Sequence, residues 1–396
     1  MAQTQNEDSM RDKKLGIWLF GAGGSIATST IAGASSLSAE AVEPIGLVTE
    51  REPFKKHNLV ACKDMCFGGC DVKTVGLTGK LDQLISEGSF PPHLRSIASE
   101  GLAAAERRIV GSPLSVTCEP QRSAADKIRA VHDQIEAFRA LNNLDDVIAV
   151  NLCSTEPLPE TRDSLWSHND WASLQGFLEE PLSLASSGVI YAVAALHANC
   201  PYINFTPNVD MELPALQELA MKKKLPHAGK DGKTGETLLK AVLAPMFEDR
   251  ALRILAWEGK NILGGEDGRT LKGVDAKRTK LLSKDLTLEA ICSNPSVHIA
   301  TSIDYVPSLA GWKTAWDFIH FEGFLGTRMS MQFTWQGCDS ILAAPLILDL
   351  VRLVACAARC GEVGHLGYLD CFFKSPTVRR SFDFKLQFQQ LLERFK

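Results

Sequence analysis

The sequence predicts an α/β protein in which a doubly wound parallel sheet is joined to a second domain with a mixed or antiparallel sheet. Three observations lead to this prediction. The chain opens with an apolar run, a Gly-rich turn and a helix of small residues. The hydrophobic pattern changes after about residue 245, where strand-like segments follow one another with fewer helices between them. Finally, 396 residues with 45% hydrophobic and 22% charged side chains fit a soluble globular chain of two domains.

The first part of the chain has the pattern of alternating strands and helices. Residues 14–20 are a short apolar run ended by Gly-Ala-Gly-Gly, which predicts a buried strand and a tight turn. Small residues at 25–36 predict a helix packed closely on a sheet, and residues 44–48 predict the second strand, ending near Glu50. This order is typical of the start of a doubly wound domain.

Further elements complete the predicted first sheet. Residues 51–122 lack a long periodic element and predict loops and short helices laid over that sheet. An apolar stripe at helical spacing predicts a helix over 124–142. The remaining predictions are strands at 146–152 and 201–205, and helices at 183–199, 212–223 and 235–247.

The second domain is predicted from about residue 246 to 335. Strand-like segments lie at 252–258, 298–306 and 328–335. A long apolar helix is expected from Ser340, and a charged helix over 382–396.

Charge and cysteine content exclude some classes of protein. Lys and Arg number 42 against 47 Asp and Glu, a net charge of −5, so no overall field attracts nucleic acid. Eleven cysteines without a C-x-x-C pair favour reduced thiols in the cytoplasm. Residues 1–12 are polar and fit a flexible tail better than a signal or transit peptide.

One apolar segment has the length of a membrane span. Residues 340–358 contain Pro345, Asp349 and Arg352. Because charges in the middle of a span are costly in lipid, a buried helix of a soluble protein is the better interpretation.

A Gly-rich turn is the first candidate site. Glycines allow a backbone to approach a pyrophosphate, and the following helix N-terminus presents free N–H groups to it. The third glycine of the G-x-G-x-x-G pattern is replaced by Ile26, and Glu50 stands where an acidic residue could bind a ribose diol. A structural turn with a surface Glu is the alternative. The candidate dinucleotide-binding residues are Gly21, Ala22, Gly23, Gly24, Ser25, Ile26 and Glu50.

A second Gly-rich segment, residues 227–237, opens a predicted helix. It lacks the spacing of a P-loop, but Gly, Lys and Thr at a helix start suit an anion. A solvated loop with a capped helix is equally compatible with this segment. The candidate phosphate-binding residues are Lys233, Thr234, Gly235, Glu236 and Thr237, with Asp231 beside them as a possible holder of a cation.

Lysines in apolar surroundings are candidates for catalysis. Burial lowers the pKa of a lysine, so that it can act as a base or a Schiff-base former, whereas a lysine at the edge of an apolar surface has no such role. Acidic residues at turns could orient such lysines, hold a metal, or merely cap a helix. The lysines are Lys280, Lys284, Lys313 and Lys374, and the acidic residues are Asp231, Asp267 and Asp339.

No metal site is predicted from the spacing of Cys and His. Cys62, Cys66 and Cys70 form C-x3-C-x3-C, which matches no usual zinc or iron–sulfur spacing. The nine histidines form no H-E-x-x-H motif.

Taken in order, these motifs resemble the inositol-phosphate synthase family, especially its shorter bacterial and archaeal members. The resemblance runs from residue 15 to 376. It rests on GAGGSIATS at 21–29, NFTPN at 204–208, GKDGKTGETLLKAVLAPMF at 229–247, WEGKNILGGEDGRTL at 257–271, TKLLSKD at 279–285, YVPSLAGWKTAWDFIHFEGFLG at 305–326, GCDSILAAPLILDL at 337–350 and FFKSP at 372–376.

The resemblance implies a fold and an activity. The implied fold is a Rossmann-type NAD-binding domain of residues 13–245 plus 336–396, with a catalytic and oligomerisation domain of residues 246–335 inserted into it. The implied reaction is the NAD-dependent cyclisation of glucose 6-phosphate to inositol phosphate, in a homotetramer. An ordinary dehydrogenase that releases NADH, a non-catalytic NAD-binding regulator and a cyclase for another sugar phosphate remain as alternatives.

The resemblance also implies which residues act. The family's essential lysines fall on Lys280, Lys284, Lys313 and Lys374, and its aspartates on Asp231, Asp267 and Asp339, of which Asp231 and Asp339 also serve the cofactor. We add Ser154 and Thr155 as cofactor-binding candidates and Asn261 as a substrate-binding candidate.

Overall fold

The computed structural model describes residues 14–72, 76–114, 123–157, 162–180, 183, 185–265, 268, 274–378 and 381–396. The predicted tail at 1–12 and Asp267 lie outside the described residues. The strands are β1 Leu15–Phe20, β2 Met65–Asp71, β3 Ile109–Gly111, β4 Asp146–Asn151, β5 Tyr202–Asn204, β6 Pro226–Gly229, β7 Arg253–Leu263, β8 His298–Tyr305, β9 Trp312–Glu322, β10 Arg328–Cys338 and β11 Gly364–His365. The helices are α1 Ser25–Ser38, α2 Leu77–Ser86, α3 Arg95–Glu106, α4 Ala124–Leu141, α5 Arg162–Ser167, α6 Trp171–Glu179, α7 Ser187–His197, α8 Pro214–Lys223, α9 Glu236–Asp249, α10 Val274–Ile291, α11 Asp339–Arg359 and α12 Phe384–Arg394.

The first sheet is parallel and doubly wound. Its seven strands have the order β11-β6-β5-β4-β1-β2-β3, so the chain builds outward in one direction from β1 and in the other from β4. In such sheets, ligands bind outside the carboxyl ends of the strands where the order reverses. The topology therefore places a binding site beyond the ends of β1 and β4.

Both faces of this sheet are buried, as a parallel sheet requires. On β1, Leu15, Ile17 and Leu19 belong to one hydrophobic core, which also contains residues of α1 and α11. Trp18 and Phe20 point to the other face and pack in a second core with α4 and α7. The sequence-predicted doubly wound α/β fold is therefore confirmed.

The prediction of the second strand was wrong. No strand forms at 44–48, where the chain makes a turn and a short 3-10 helix over Val48–Glu50. β2 lies instead within the segment 51–122 that predicted only loops and helices, and it pairs with β1 along its length. Its sequence, MCFGGCD, contains two glycines because a Cβ at Gly68 would lie 2.5 Å from Phe138 and one at Gly69 would lie 2.1 Å from the Leu19 carbonyl oxygen. Because these two positions must be glycine, β2 lacks the β-branched residues by which a strand is usually recognised in a sequence.

The second sheet is mixed, with the order β10-β9-β7-β8. β9 pairs antiparallel with β7 and β10, while β7 and β8 are parallel. β9 itself was not predicted. A small core of α9, α10 and this sheet includes Phe247, Trp257, Leu288 and Ile319. The division into domains at residues 245 and 335 stays a prediction, although the strands of the second sheet all come from residues 253–338.

Helix α11 is a core helix. By length and composition it could cross a membrane, but 67% of its most apolar stretch is buried inside the protein. Its two charges in the middle are matched by neighbours: Asp349 accepts hydrogen bonds from the Val48 and Thr49 amides, and Arg352 donates to Thr49 and Glu50. Burial of this kind fits the predicted helix of a globular protein.

Candidate active site

A cavity lies where the topology predicts a site, beyond the carboxyl ends of β1 and β4. One wall is formed by the Gly-rich turn, with Gly21, Gly24, Ser25 and Ile26, and by the loop after β4, with Ser154 and Thr155. The lining also includes charged and polar side chains, namely Asp231, Thr234, Lys280, Asp339 and Lys374. Residues widely separated in the sequence thus meet around one space.

The Gly-rich turn fits a pyrophosphate. Gly21 has a φ of +81°, and a Cβ on it would lie 3.0 Å from the Leu152 backbone, so the turn requires glycine. Helix α1 begins at Ser25 with no side-chain cap and no acidic residue in its first turn. Its first amides are therefore available to an anion, which the helix dipole also favours. These features fit a dinucleotide such as NAD.

The acidic partner of this turn is Asp71, not Glu50. Glu50 lies after the wrongly predicted strand and pairs with Arg352 at 2.6 Å. Asp71 ends the true second strand, and its Oδ2 accepts a hydrogen bond of 2.9 Å from the Gly23 amide. We assign to Asp71 the ribose-binding position at the end of the second strand that sequence analysis gave to Glu50.

Lys374 and Asp231 form a buried pair in the lining of this cavity. The Lys374 Nζ lies 2.9 Å from Asp231 Oδ1, and the Lys374 amide donates to the Asp231 carbonyl at 2.7 Å. Burial lowers the pKa of Lys374, and the neighbouring Lys280 and Lys313 lower it further, while Asp231 opposes them. A lysine in this setting can hold a proton beside a developing anion or give it up.

Asp339 links the phosphate segment to a second lysine. It is the first residue of α11, accepts a hydrogen bond of 3.0 Å from the Thr234 hydroxyl, and lies 3.5 Å from Lys313 Nζ. Burial would raise its pKa, but Lys313, Lys374 and Lys280 outweigh burial and hold the pKa at about 2. Asp339 is therefore ionised and holds the cationic side chains together.

Lys284 lies deeper, beside the start of α9. Its ammonium contacts the Glu236 carboxylate and donates to Asn261 Oδ1 at 2.6 Å. Burial lowers its pKa to about 7, against the attraction of Glu236. Glu236 thus contacts lysines, although sequence analysis grouped it with the phosphate-binding residues.

The start of α9 otherwise suits a phosphate. The Thr237 hydroxyl and the Asn261 amide nitrogen are buried without a hydrogen-bond partner among the described residues. Gly235 is close to Trp335, whose Nε1 would lie 2.4 Å from an added Cβ. Lys233 does not belong to this group, because it points to the C-terminal helix, donating to Gln387 at 2.9 Å. Burial lowers the pKa of Lys233 to about 8.

Sequence reasoning missed three charged residues near the site: Asp71, Lys240 and Asp317. Asp71 was missed because the glycines of β2 kept this segment from being recognised as a strand. Lys240 follows Glu236 by one helical turn, and Asp317 follows Lys313 by four positions on β9, a spacing that places both on one face of a strand. These spacings could have indicated Lys240 and Asp317, but only to a reader who already knew that the first lies on a helix and the second on a strand.

No metal site emerges from the part of the chain that the structure describes, where no three His, Cys, Asp or Glu side chains cluster. Cys66 and Cys70 lie on β2, and Cys62 lies in the 3-10 turn before it. The ten cysteines among the described residues are unpaired.

The fold and the cavity define a Rossmann-type protein that binds a dinucleotide beside a lysine-rich centre. The profile of the myo-inositol-1-phosphate synthase family matches residues 15–395. The chain therefore belongs to this family, and the predicted family, fold class and NAD cofactor are confirmed.

Individual relatives agree with this assignment. Inositol-3-phosphate synthase 1 of Bacteroides thetaiotaomicron is 29% identical, over 92% of this chain and 89% of the relative. The Populus euphratica enzyme of the same name is 25% identical over 78% of this chain, which covers 62% of the longer plant protein. The crystal structure of inositol-3-phosphate synthase from Caenorhabditis elegans superposes with a TM-score of 0.83, at 23% identity and over 98% of this chain and 86% of that one. A synthase-related protein from Thermotoga maritima gives a TM-score of 0.76 at 20% identity, covering 96% of this chain and 98% of that one.

Proposed function

We propose that this protein is an isomerase of the intramolecular lyase class that cyclises D-glucose 6-phosphate to 1D-myo-inositol 3-phosphate with NAD. The family match over nearly the whole chain carries this proposal. The cavity supports it, because a dinucleotide-type turn lines one space together with Lys280 and Lys374. An inositol synthase requires both parts, a redox cofactor and fixed cations for sugar oxyanions.

The cofactor and the lysines have separate tasks. When bound, NAD supplies a hydride acceptor for C5 of the open-chain sugar and a donor for the same carbon after ring closure. Gly21, the uncapped start of α1 and Asp71 would hold it, with Ser154 and Thr155 on the loop after β4. Asp231 and Asp339 line the same space and orient the lysines that face it.

Lysines stabilise the oxygen atoms that gain negative charge. We assign Lys280 and Lys374 to the C5 oxygen and Lys313 to the C1 oxygen, where the C6 enolate closes the ring. Preorganised donors of this kind typically lower a barrier by about 3–4 kcal/mol each. Burial of Lys374 supports its assignment, because a low effective dielectric strengthens the interaction with an oxyanion.

The start of α9 is assigned to the substrate phosphate. Thr234, Gly235 and Thr237 open the helix, and Asn261 faces them from β7 with a free amide nitrogen. Lys284 donates to Asn261 and adds positive charge behind this group. The cation that sequence analysis placed near Asp231 stays a prediction.

We also propose a homotetramer that works in the cytoplasm. The second sheet has an aromatic row on β9, where Trp316, Phe318 and His320 stack at 6.3 and 6.4 Å between ring centres. Trp316 is 39% exposed, so this row suits packing against another subunit. The net charge of −5 supports the expectation that neither nucleic acid nor a membrane is a partner.

One experiment tests the activity directly. The protein is incubated with glucose 6-phosphate and NAD, the product is identified by NMR, and absorbance at 340 nm is followed. An inositol phosphate without accumulation of NADH is the expected result. Stoichiometric NADH and a keto or lactone product would instead establish an ordinary dehydrogenase.

A further inference from the structure

A row of four buried charged side chains begins at Lys284. The two oxygens of Glu236 contact two different lysines, with Oε2 against Lys284 and Oε1 3.0 Å from Lys240. Lys240 Nζ is in turn 3.9 Å from Asp317 Oδ1. Positive and negative groups thus alternate along a line of four residues.

These four side chains are almost completely removed from water. The exposed fractions are 0% for Lys240 and Asp317, 1% for Glu236 and 3% for Lys284. Isolated buried charges are very costly, and removing one partner of a buried pair leaves the other uncompensated. The alternation of signs therefore offsets part of the cost of burying these four groups.

Gly259 on β7 marks the point where three of these charges converge. A Cβ at this position would lie 2.9 Å from Glu236 Oε1, 3.2 Å from Lys240 Nζ and 3.3 Å from Asp317 Oδ1. The absence of a side chain on Gly259 leaves the space in which the charges meet.

Asp317, the last of the four charged residues, is bound to the hydrophobic core. Asp317 Oδ1 accepts a hydrogen bond of 2.7 Å from Trp257 Nε1, and Trp257 is fully buried in the core between α9 and the second sheet. Lys240 is held additionally by the Thr301 hydroxyl at 3.1 Å. Lys240, which contacts the Glu236 carboxylate, is therefore itself held by Thr301 and lies beside Asp317.

We propose that Glu236 is a positioning residue which, braced by Lys240 and Asp317, holds Lys284 in place as an ammonium ion facing the substrate side. This inference rests on the proposed function. It gives Glu236 a different task from its helix neighbours Thr234 and Thr237. A carboxylate repels a phosphate, and both of its oxygens are already engaged by lysines.

The sign of the effect follows from the groups that face Lys284. Glu236 and Lys240 face it from α9 and Lys313 from β9, while Asn261 on β7 is neutral. Asp317 on β9 also attracts Lys284 directly, as a negative charge that is not paired with it. Burial lowers the pKa of Lys284, Glu236 raises it, and the two lysines lower it further. Neutralising Glu236 must therefore lower the pKa, so that the ammonium form is lost at a lower pH.

The test is the pH dependence of kcat and KM in wild type and Glu236→Gln, measured with NAD and glucose 6-phosphate between about pH 4 and about pH 9, a range that contains the shifted limb. Glutamine keeps the shape of the side chain and removes its charge. The alkaline limb of kcat should move to lower pH by about 1–3 units, the usual effect of one nearby opposite charge. Asp317→Asn, which removes a second negative charge that attracts Lys284 without being paired with it, should move it in the same direction by less.

A matched control and a second readout separate the possible outcomes. Glu362→Gln removes a carboxylate that is paired with Arg394 and that does not line the described cavity, and it should leave the profile unchanged. Binding of inorganic phosphate to the NAD-loaded protein, followed by calorimetry over the same pH range, reports on Lys284 without turnover. Profiles of both Glu236→Gln and Asp317→Asn that superpose on wild type, with only KM altered, would overturn the inference. Binding that shifts with pH as expected, but without any inositol phosphate, would refute the proposed function alone.

Discussion

Replacing Lys374 by Met separates its role in catalysis from its role in stability. Lys374 is 6% exposed and its partner Asp231 is 2% exposed, so the substitution leaves a buried carboxylate without its cation. Breaking a buried pair in this way typically costs about 3–5 kcal/mol of unfolding free energy. Methionine fills nearly the same volume, so loss of packing adds little to this cost.

The second variant, Lys374→Met combined with Asp231→Asn, removes the unpaired charge as well. Stability should then recover by most of that amount, since replacing both members of a buried pair is often nearly neutral. Activity should not recover, because the cation for the C5 oxygen is still absent, and kcat should stay about 100- to 1,000-fold below wild type. Urea denaturation followed by circular dichroism and product formation followed by NMR give the two quantities.

The reasoning would be refuted if the double variant regained both stability and activity. That result would make Lys374 a structural partner of Asp231 and nothing more. A single variant as stable as wild type would equally show that the ion pair seen at 2.9 Å has no energetic weight.

Three further predictions address the cofactor, the phosphate segment and the hydride cycle. Asp71→Asn should weaken NAD binding about 10- to 100-fold, as expected for loss of a hydrogen bond to a charged group, while Glu50→Gln leaves the dissociation constant unchanged; equal effects would restore the original assignment to Glu50. Gly235→Ala should destabilise the protein by about 1–3 kcal/mol in urea, because its Cβ meets Trp335, whereas Gly176→Ala, with open space around it, should be neutral or stabilising. Glucose 6-phosphate deuterated at C5 should give a product that keeps its deuterium at the same carbon, as seen by mass spectrometry and NMR; loss of the label to added unlabelled NADH would contradict a closed hydride cycle.

The first sheet was predictable where its segments carry a clear pattern and not where packing overrides that pattern. β1, α1 and β4 lie within two residues of their predicted limits because apolar runs and small-residue helices have strong local signals. The second strand was placed wrongly because Gly68 and Gly69 accommodate Phe138 and the β1 backbone. A contact between distant segments determined those two residues, and no local pattern reports it.

The candidate site shows the same division. Residue type and apolar context were enough to single out Lys313 and Lys374, because both lysines lie directly beside aromatic residues in the sequence. The partners of these lysines were less accessible: Asp339 and Lys313 meet only because β9 and β10 run side by side into α11. Glu236 was predicted to bind phosphate because it lies beside two threonines in the sequence. In the structure its carboxylate contacts Lys284.

The pairing of cations with carboxylates explains how so many lysines can share a buried site. Lys374 has Asp231, Lys313 has Asp339, and Lys284 shares Glu236 with Lys240. Without Glu236 and Asp231, burial would lower the pKa of Lys284 and Lys374 further, and a neutral amine stabilises an enolate or an alkoxide less than an ammonium does. With the pairs preformed, little reorganisation is needed when charge develops on the sugar, which is the condition under which fixed dipoles and ions accelerate a reaction most. The carboxylates are therefore as necessary to the proposed chemistry as the lysines, although none of them needs to touch the reacting carbon atoms.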